Sequence, residues 1–549
     1  MDTRVFDFWI EKSDEKTIKE ISQMSDSEKQ KAFGSPLTFG TAGVRAKMGP
    51  GPSLLNKYTV RQIALAYLEF LKQKWPLYTI KKKGVVIFHD NRANSYDFAI
   101  EAAKILSDSN VLVYLAHKNE LKTTPFLSYC IRILKAAGGM NFTASHNPKE
   151  YNGCKVYNEF GCQLLPEDTQ KIQKFLPDFQ EQVFNMKCNG YLPLICELPE
   201  KIELGFVETI KQNIFNYNLP KRMKILFSPQ CGTTYEIIPN LFNELGFEMT
   251  IFPKTATPNP EFKGVHAINP EDVESFNELI TFAKKDKYIN LILIADPDGD
   301  RVGIAYKNRQ DKFVILHGNE VATLLTNYLC MQMKKVYKLR HEGFIVSTMV
   351  SGDLPGEIAR SYNYSEIKTS TGFKWIGNEI ERNIHNKKFI FAFEEAIGYL
   401  TFDGLREKDS IQTSLVFCDM MNFYLNQGQN LDDVLMEIYS NFGFYQYKTI
   451  YLESDNLQKI EYIFTNFLRN NISSIGQLDV VDKKIITNKF DSSPTIKIFL
   501  SKDNNSWVAI RKSGTEPKLK FYITIRDVSV IAAKDKINKI EESIKNIIR

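Results

Sequence analysis

GVVIFHD (84–90) runs into a polar loop, a helical stretch through FAIEAAKIL (98–106) and a second apolar run, VLVYLA (111–116). An apolar strand, a helix and a further apolar strand make a βαβ unit, and such units build parallel or mixed sheets. The same order returns in MKILFSP (223–229), YEIIPNLFNELG (235–246) and MTIFP (249–253). It returns again in FIVSTMV (344–350), LPGEIARSY (354–362) and EIKTS (366–370). Identity between the copies is low, so an architecture repeats here rather than a short solenoid motif. Three related α/β domains are expected.

The last hundred residues read differently. NLQKIEYIFTNFLRNN (456–471) has helical periodicity, and IKIFL (496–500), WVAIR (507–511) and LKFYITI (519–525) read as sequential strands. The chain closes on Ile537, Ile540, Ile544 and Ile547, the spacing of an amphipathic helix. This predicts a smaller α+β domain. Residues 1–35 are charged and helical in character, and are expected to pack on the first domain. The expected divisions are 1–205, 206–327, 328–443 and 444–549.

Size agrees with this partition, since 549 residues are enough for roughly three to five domains. Hydrophobic residues make up 43% and charged residues 25%, an ordinary globular composition. A net charge of +5, from 70 basic and 65 acidic residues, is too slight to argue for nucleic acid. The eight cysteines form no Cys-x-x-Cys pair and read as reduced thiols. The start, MDTRVFDFWIEKSDEK, is broken by charges and does not read as a secretory signal, and no apolar run approaches a membrane span. A cytoplasmic setting is expected, with neither membrane nor nucleic acid as partner.

Four loops carry chemistry. GGMNFTASHNPKEYNGCKVYNEFG (138–161) places Ser145, His146, Asn147 and Pro148 on a tight loop, with Lys155 beyond. The serine can be presented as a nucleophile, or it can close the loop through backbone hydrogen bonds. Adjacent Ser and His side chains rarely point at each other, and the segment has no G-x-S-x-G elbow, which disfavours a hydrolase triad. NLILIADPDGDRVG (290–303) runs a buried strand into Asp296, Asp298 and Asp300. Three carboxylates at alternate positions repel unless a cation sits among them, and oxygen ligands suit a hard cation. Gly299 lets the backbone turn so that they converge. Magnesium ordinarily uses one or two carboxylates, so three suggest that a further anionic ligand displaces water. KTSTGFKWIGNEI (368–380) and FIFAFEEAIGYL (389–400) bring Thr371, Gly372, Lys374, Glu394 and Glu395. Neighbouring strand residues face opposite ways, so one of the two glutamates is expected in a site. WVAIRKSGTEPKLKFYITI (507–525) holds Arg511, Lys512, Ser513, Gly514, Thr515 and Lys518 between two strands, the inventory of a phosphate cradle.

Together FGTAGVRAKMGPG (39–51), TASHNPKEYNG (143–153), DPDGDR (296–301), TGFKWIG (371–377), FEEAIGY (393–399) and RKSGTEPK (511–518) resemble the α-D-phosphohexomutase superfamily, in its order and over nearly the whole chain. GTAGVRAKMGPG and FEEAIGY are most similar to the branch of type-2 phosphoglucomutase and phosphopentomutase. The resemblance implies four domains around a central cleft, three α/β and one smaller α+β. It implies a magnesium-dependent phosphosugar mutase with a phosphoserine at Ser145, flanked by Arg45, Lys155 and His146. Asp296, Asp298 and Asp300 would hold Mg2+ together with a phosphoserine oxygen, which supplies the missing anion. Substrate contacts would come from Arg301, Thr371, Gly372, Lys374, Glu394 and Ala396, with Arg511, Ser513, Gly514 and Thr515 gripping the phosphate that does not react. The implied reaction takes glucose 1-phosphate to glucose 6-phosphate through glucose 1,6-bisphosphate, by a monomer or homodimer. A phosphopentomutase or a glucose 1,6-bisphosphate synthase of the same branch is the alternative. Three residues depart from the wider pattern. Ala396 stands where many members have Ser, and Lys512 where Pro is common. Tyr399 lies near an imidazole position, which leaves the general acid/base open.

Overall fold

The computed structural model describes residues 2–40, 43–117, 120–176, 181–184, 194–336, 342–454, 456–470, 472–488, 493–512 and 518–548. The first sheet has six strands: β1 Val44–Lys47, β2 Val85–His89, β3 Val113–Leu115, β4 Gly138–Phe142, β5 Tyr151–Tyr157 and β6 Ile195–Glu197. Their order is β1-β5-β4-β2-β3-β6. The second sheet holds β7 Lys224–Ser228, β8 Glu248–Ile251, β9 Ile289–Ala295, β10 Val302–Lys307 and β11 Phe313–Ile315, in the order β11-β10-β9-β7-β8. The third holds β12 Gly343–Thr348, β13 Ser365–Thr369, β14 Lys388–Glu394 and β15 Gly398–Leu400, in the order β13-β12-β14-β15.

These sheets share a plan that apolar runs alone do not show. Each has a parallel core: β3-β2-β4, β8-β7-β9 and β13-β12-β14. Each core is then extended by an antiparallel neighbour: β5 on β4, β10 on β9 and β15 on β14. The three expected βαβ units supply the parallel cores, with helices Ser95–Asp108, Ile237–Glu244 and Leu354–Ser361 as crossovers. The three added hairpins carry Ser145, the aspartates and the glutamates at their turns. Sheets are therefore mixed, as expected, and the antiparallel step places each functional loop at the carboxyl end of a core strand. In open α/β sheets that is the end where ligands bind.

A single buried cluster joins the three units, from Phe88 and Phe126 through Phe206, Phe227 and Tyr328 to Phe391 and Phe417. Helix Glu200–Lys211 runs across 205/206 and helix Gly318–Val336 across 327/328, so a cut at either point would divide a helix.

The fourth unit is a five-stranded antiparallel sheet of β16 Phe444–Glu453, β19 Asp482–Ile486, β20 Thr495–Phe499, β21 Trp507–Lys512 and β22 Lys518–Asp527, in the order β16-β22-β21-β20-β19. The short strands β17 Ser474–Ile475 and β18 Leu478–Asp479 pair beside it. Helices Leu457–Arg469 and Val530–Ile548 bury Phe464, Phe467, Ile537, Ile540 and Ile544 against the sheet, as their spacing predicted. The unit seats on the third through Trp507, whose Nε1–H donates to Asp353 Oδ2 at 2.6 Å.

Residues 3–32 form three short helices, Thr3–Lys12, Glu15–Ser22 and Asp26–Ala32. They lean on the first unit through edge-on contacts of the buried Trp9 ring with Phe33, Tyr58 and Phe184. Among the described residues, no helix is long and apolar enough to cross a membrane.

Candidate active site

Strand β9 is buried along Leu291–Ala295 and delivers Asp296, Asp298 and Asp300 to the turn before β10, where all three are buried. Gly299 closes that turn with φ +75°, and a Cβ there would come within 2.9 Å of Thr123 and Thr234. One oxygen each of Asp298 and Asp300, and both oxygens of Asp296, are committed to the protein. Asp296 Oδ1 accepts the backbone N–H groups of Asp300 and Arg301 at 3.0 and 2.9 Å. Asp298 Oδ2 accepts from the Thr124 hydroxyl and the Lys155 ammonium, both at 2.6 Å. Asp300 Oδ2 accepts from Lys155 at 2.8 Å and lies 3.3 Å from Lys408 Nζ.

Asp298 Oδ1 and Asp300 Oδ1 are buried with no hydrogen-bond partner among the described residues. An unsatisfied buried acceptor costs about 1–3 kcal/mol, more when charged. Ligand oxygens from the three side chains lie within 4.8 Å of one another. A hard divalent cation would satisfy both orphaned oxygens, so the donor set fits magnesium. Charge balance points the same way. Burial and the carboxylates of Asp300 and Asp298 push the Asp296 carboxyl well up. Burial and Asp300 also oppose ionisation of Asp298, but Lys155 and Thr124 outweigh them and hold it low. Asp300 is held low against burial by Lys155, Lys408 and Arg301.

Ser145 faces this turn from the β4–β5 connection. Its φ is +53°, the left-handed region, and its N–H donates to Thr143 Oγ1 at 2.8 Å. Ser145 Oγ donates to Asp296 Oδ2 at 2.9 Å and lies 3.2 Å from His146 Nδ1. The expectation that adjacent Ser and His side chains do not meet fails here, because the left-handed turn brings both to the same side. Burial, Arg301 and Arg45 push the imidazole well below its usual range, so His146 is neutral at neutral pH. Lys155 is placed by register, opposite Asn141 on β4. Arg45 sits on β1 opposite Gly153 and donates to Asn147 Oδ1 at 2.8 Å.

The glutamates separate as strand alternation requires. Glu394 Oε1 lies 3.5 Å from Lys408 Nζ, on the side of the aspartates. Glu395 instead accepts from the Thr348 and Ser351 hydroxyls at 2.9 and 3.2 Å. The Tyr399 hydroxyl is buried and donates to the Gly318 carbonyl at 3.2 Å, so it is not placed to exchange protons with a substrate.

A cavity of about 650 Å³ opens beside the serine loop, with His146, Asn147 and Pro148 on its wall. Arg45 and His146 line it from the first unit, Glu271 and Arg301 from the second, Ala396 from the third, and Tyr451, Lys518 and Lys520 from the fourth. Arg301 spans the floor, 3.8 Å from Asp300 and 3.9 Å from Glu271. Thr371 and Lys374 are buried around the start of helix Phe373–Asn383, where Gly372 takes φ +105°. Arg511 is half-buried on β21 opposite Lys520. Ser513, Gly514 and Thr515 lie outside the described residues.

Sequence reading missed Lys408 and Glu407. Both are buried, in GLREKDS (404–410), ahead of helix Ser410–Asn426. Burial opposes the charge of Lys408, but Asp300, Glu394 and Glu407 keep it protonated. Glu407 accepts from Tyr157 at 2.9 Å and from Gln163. The only signal was a run of alternating charges before an apolar helix, and such runs are usually solvated. The next residues tie the third unit to the aspartate turn, because Ser410 N–H and Oγ–H both donate to the Gly299 carbonyl, at 3.1 and 2.7 Å.

Asp409, which caps the same helix, is raised to about 7 by burial. The native state then keeps a proton that the unfolded chain releases near pH 4. Stability falls as pH rises from about 4 to about 7 and is flat above. Asp409→Asn keeps the cap acceptor without the charge. We expect its melting temperature, relative to wild type, to be higher at pH 8 than at pH 5; an equal difference at both would refute the assignment.

A serine hydroxyl against a buried triaspartate turn, with Lys155 on two of the aspartates and a cavity lined from all four units beside it, is an arrangement suited to phosphoryl transfer. Models for phosphoglucomutase/phosphomannomutase α/β/α domains I, II and III match residues 36–182, 205–310 and 317–442. The chain is 31% identical to a phosphoglucomutase of Staphylococcus aureus over 551 aligned positions, covering 97% of each protein. The chain belongs to the phosphoglucomutase/phosphomannomutase family, whose members are phosphosugar mutases. Its fold is shared with a phosphomannomutase from Thermus thermophilus at TM-score 0.69 and 20% identity, covering 94% of this chain and 99% of that one. It is also shared with the phosphoglucomutase-type phosphoprotein parafusin of Paramecium at TM-score 0.68 and 16% identity, covering 93% and 96%.

Proposed function

We propose that this chain interconverts glucose 1-phosphate and glucose 6-phosphate through a phosphoserine at Ser145, with glucose 1,6-bisphosphate as intermediate and activator. The observation that carries this reading is the Ser145 hydroxyl on Asp296, beside two carboxylate oxygens that lack partners among the described residues. Asp296, Asp298 and Asp300 would hold Mg2+, which when bound supplies charge stabilisation to the transferring phosphoryl group.

The chain's own residues account for the rest. Phosphorylated Ser145 faces a sugar hydroxyl in the cavity; the P–O bond to Oγ breaks as the bond to the sugar oxygen forms. The proton leaving that hydroxyl passes to His146, whose neutral imidazole can accept it. Lys155 and Arg45 flank the serine and offset charge that spreads over the phosphoryl oxygens. The bisphosphate turns around, and its other phosphate returns to Ser145. Glu394 and Arg301 would orient sugar hydroxyls, Ala396 would leave room without a hydroxyl contact, and Thr371, Gly372 and Lys374 would complete the wall. Arg511, Ser513, Gly514 and Thr515 would hold the distal phosphate, with Lys518 and Lys520 already lining that side of the cavity.

All four units of the chain line the cavity, and we take the chain to act as a monomer or within a homodimer. Cys130, Cys154, Cys162, Cys196, Cys231, Cys330 and Cys418 are free thiols, in keeping with a cytoplasmic setting. With magnesium and a trace of the bisphosphate, glucose 1-phosphate should yield glucose 6-phosphate, with a higher kcat/KM than ribose 1-phosphate gives. A higher value for the pentose would make it a phosphopentomutase. Release of inorganic phosphate without isomer would defeat the proposal.

A further inference from the structure

DNRANS (90–95) links β2 to helix Ser95–Asp108. A charged pair between a strand and a helix would ordinarily be solvated, yet the Asp90 and Arg92 side chains have no exposure at all. Burying such a pair is costly unless hydrogen bonds offset the lost hydration. Here the two terminal guanidinium nitrogens direct their hydrogen bonds to one loop. Arg92 Nη2 donates to the carbonyls of Ser145 and Asn147 at 2.6 and 2.5 Å. Arg92 Nη1 donates to those of Pro148 and Tyr151 at 2.9 and 3.1 Å.

Four carbonyls of the serine loop thus converge on one guanidinium. The guanidinium is fixed in turn. Its Nε lies 3.3 Å from Asp90 Oδ2, and Asp90 Oδ1 accepts the Arg92 N–H at 2.9 Å and the Ser95 hydroxyl at 2.6 Å. The outer side is closed by the second unit, where the Phe262 ring lies 4.9 Å from the guanidinium and Asn259 accepts from Asn91 at 3.1 Å.

The loop needs such a fixture. Ser145 holds a left-handed backbone without being glycine, a conformation that L side chains adopt only at a cost. In that conformation its Oγ points at Asp296. Asn91 and Arg92 also bridge the two units whose relative placement sets the distance between serine and aspartates.

We propose that Arg92 is the positioning residue of the transferring serine: through the carbonyls of 145, 147, 148 and 151 it holds Ser145 Oγ aimed at the aspartate turn, without touching substrate. The inference rests on the phosphoserine reading above. Lysine cannot replace it, because an ammonium has three donors and no planar fork.

The test uses the full-length chain as Arg92→Ala and Arg92→Lys. Readouts are kcat and KM for glucose 1-phosphate, the melting temperature, and uptake of one phosphoryl group from glucose 1,6-bisphosphate by intact mass. We expect kcat of Arg92→Ala to fall on the order of 10²-fold with KM changed less than about threefold, the pattern of a misplaced reacting group. Millimolar guanidinium should restore part of that loss, whereas methylammonium should not. Arg92→Lys should fall between wild type and Arg92→Ala, with slowed phosphoryl uptake.

A folded Arg92→Ala enzyme with wild-type kcat, a loss confined to KM, or a kcat loss that guanidinium leaves unchanged would each overturn the inference. Where Arg92→Ala does not fold, Arg92→Lys decides: wild-type kcat overturns the inference, and a reduced kcat at an unchanged melting temperature supports it. If wild-type chain fails to interconvert the sugar phosphates, the proposed function falls and the inference falls with it. If wild type turns over and both variants match it, only the inference falls.

Discussion

Replacing Ser145 by Ala should abolish interconversion of glucose 1-phosphate and glucose 6-phosphate, with kcat lower by on the order of 10⁴- to 10⁶-fold, the scale of losing a nucleophile. The reason is chemical and local. Ser145 Oγ is the hydroxyl that meets both Asp296 and the neutral His146, at 2.9 and 3.2 Å. Alanine removes that oxygen and nothing else of size. The left-handed backbone at 145 is equally strained with either residue, so that cost cancels in the comparison. Asp296 loses one donor, worth about 0.5–1.5 kcal/mol, and keeps its two backbone N–H bonds. The variant should therefore fold and melt close to wild type while taking up no phosphoryl group from glucose 1,6-bisphosphate. Measured uptake by intact mass, or turnover within about tenfold of wild type, would place the acceptor elsewhere.

Lys155→Met should give the second large effect, on stability as well as rate. The ammonium lies 2.6 and 2.8 Å from Asp298 and Asp300, fully inside the protein. Removing it leaves two buried carboxylates with Lys408, 3.3 Å from Asp300, as their nearest remaining ammonium. Breaking a buried pair in this way costs about 3–5 kcal/mol. The pH dependence has a definite sign. In wild type, burial opposes the Lys155 charge but Asp298 and Asp300 raise its pKa above the usual lysine value. Its contribution is present below about pH 10.4 and lost above. The same lysine holds Asp298 and Asp300 low, so their contribution is present above about pH 4 and lost in acid. Without it the two acids retain protons to higher pH. The difference in melting temperature between variant and wild type should be larger at pH 8 than at pH 5.

Magnesium should narrow that difference at pH 8, because carboxylates no longer offset by Lys155 bind a divalent cation more tightly than in wild type, and a ligand stabilises more the further its concentration exceeds Kd. Catalysis should not be recovered alongside stability. Loss of an electrostatic partner of the transferring group costs on the order of 10²–10³ in kcat. A Met variant that melts like wild type without metal at pH 8 would show that the carboxylates are satisfied by other means.

The two effects separate the roles of serine and lysine. Ser145→Ala loses chemistry with stability kept; Lys155→Met loses stability that a cation partly returns. Arg92→Ala belongs to neither class, since it keeps the hydroxyl and the ammonium and changes the aim of the hydroxyl alone.

Much of this was legible from residue order. The strand–helix–strand runs at 84–116, 223–253 and 344–370 became the three parallel cores, because continuous apolar runs have nowhere to go but the middle of a sheet. Asp296, Asp298 and Asp300 declared themselves because carboxylates directly after a buried strand need a cation. The hairpin partners β5, β10 and β15 were not legible in that way. Each antiparallel strand follows its core strand after a short turn, and the polar turn residues hide the apolar continuation.

Sequence by itself determined which groups are available: one hydroxyl, three aspartates, a neighbouring imidazole, and lysines and arginines spread from Arg45 to Lys520. Only the tertiary structure decided which of them meet. Lys408 and Glu407 entered the site, and Tyr399 and Glu395 left it, because strand alternation and a helix start on the third unit aim side chains that look equivalent in a string. The physical reason is burial. A charge in water needs no partner, so its neighbours in sequence say little about it. A charge inside the protein must be matched, and its match is found across the fold, as Lys155 finds Asp298 at a separation of 143 residues.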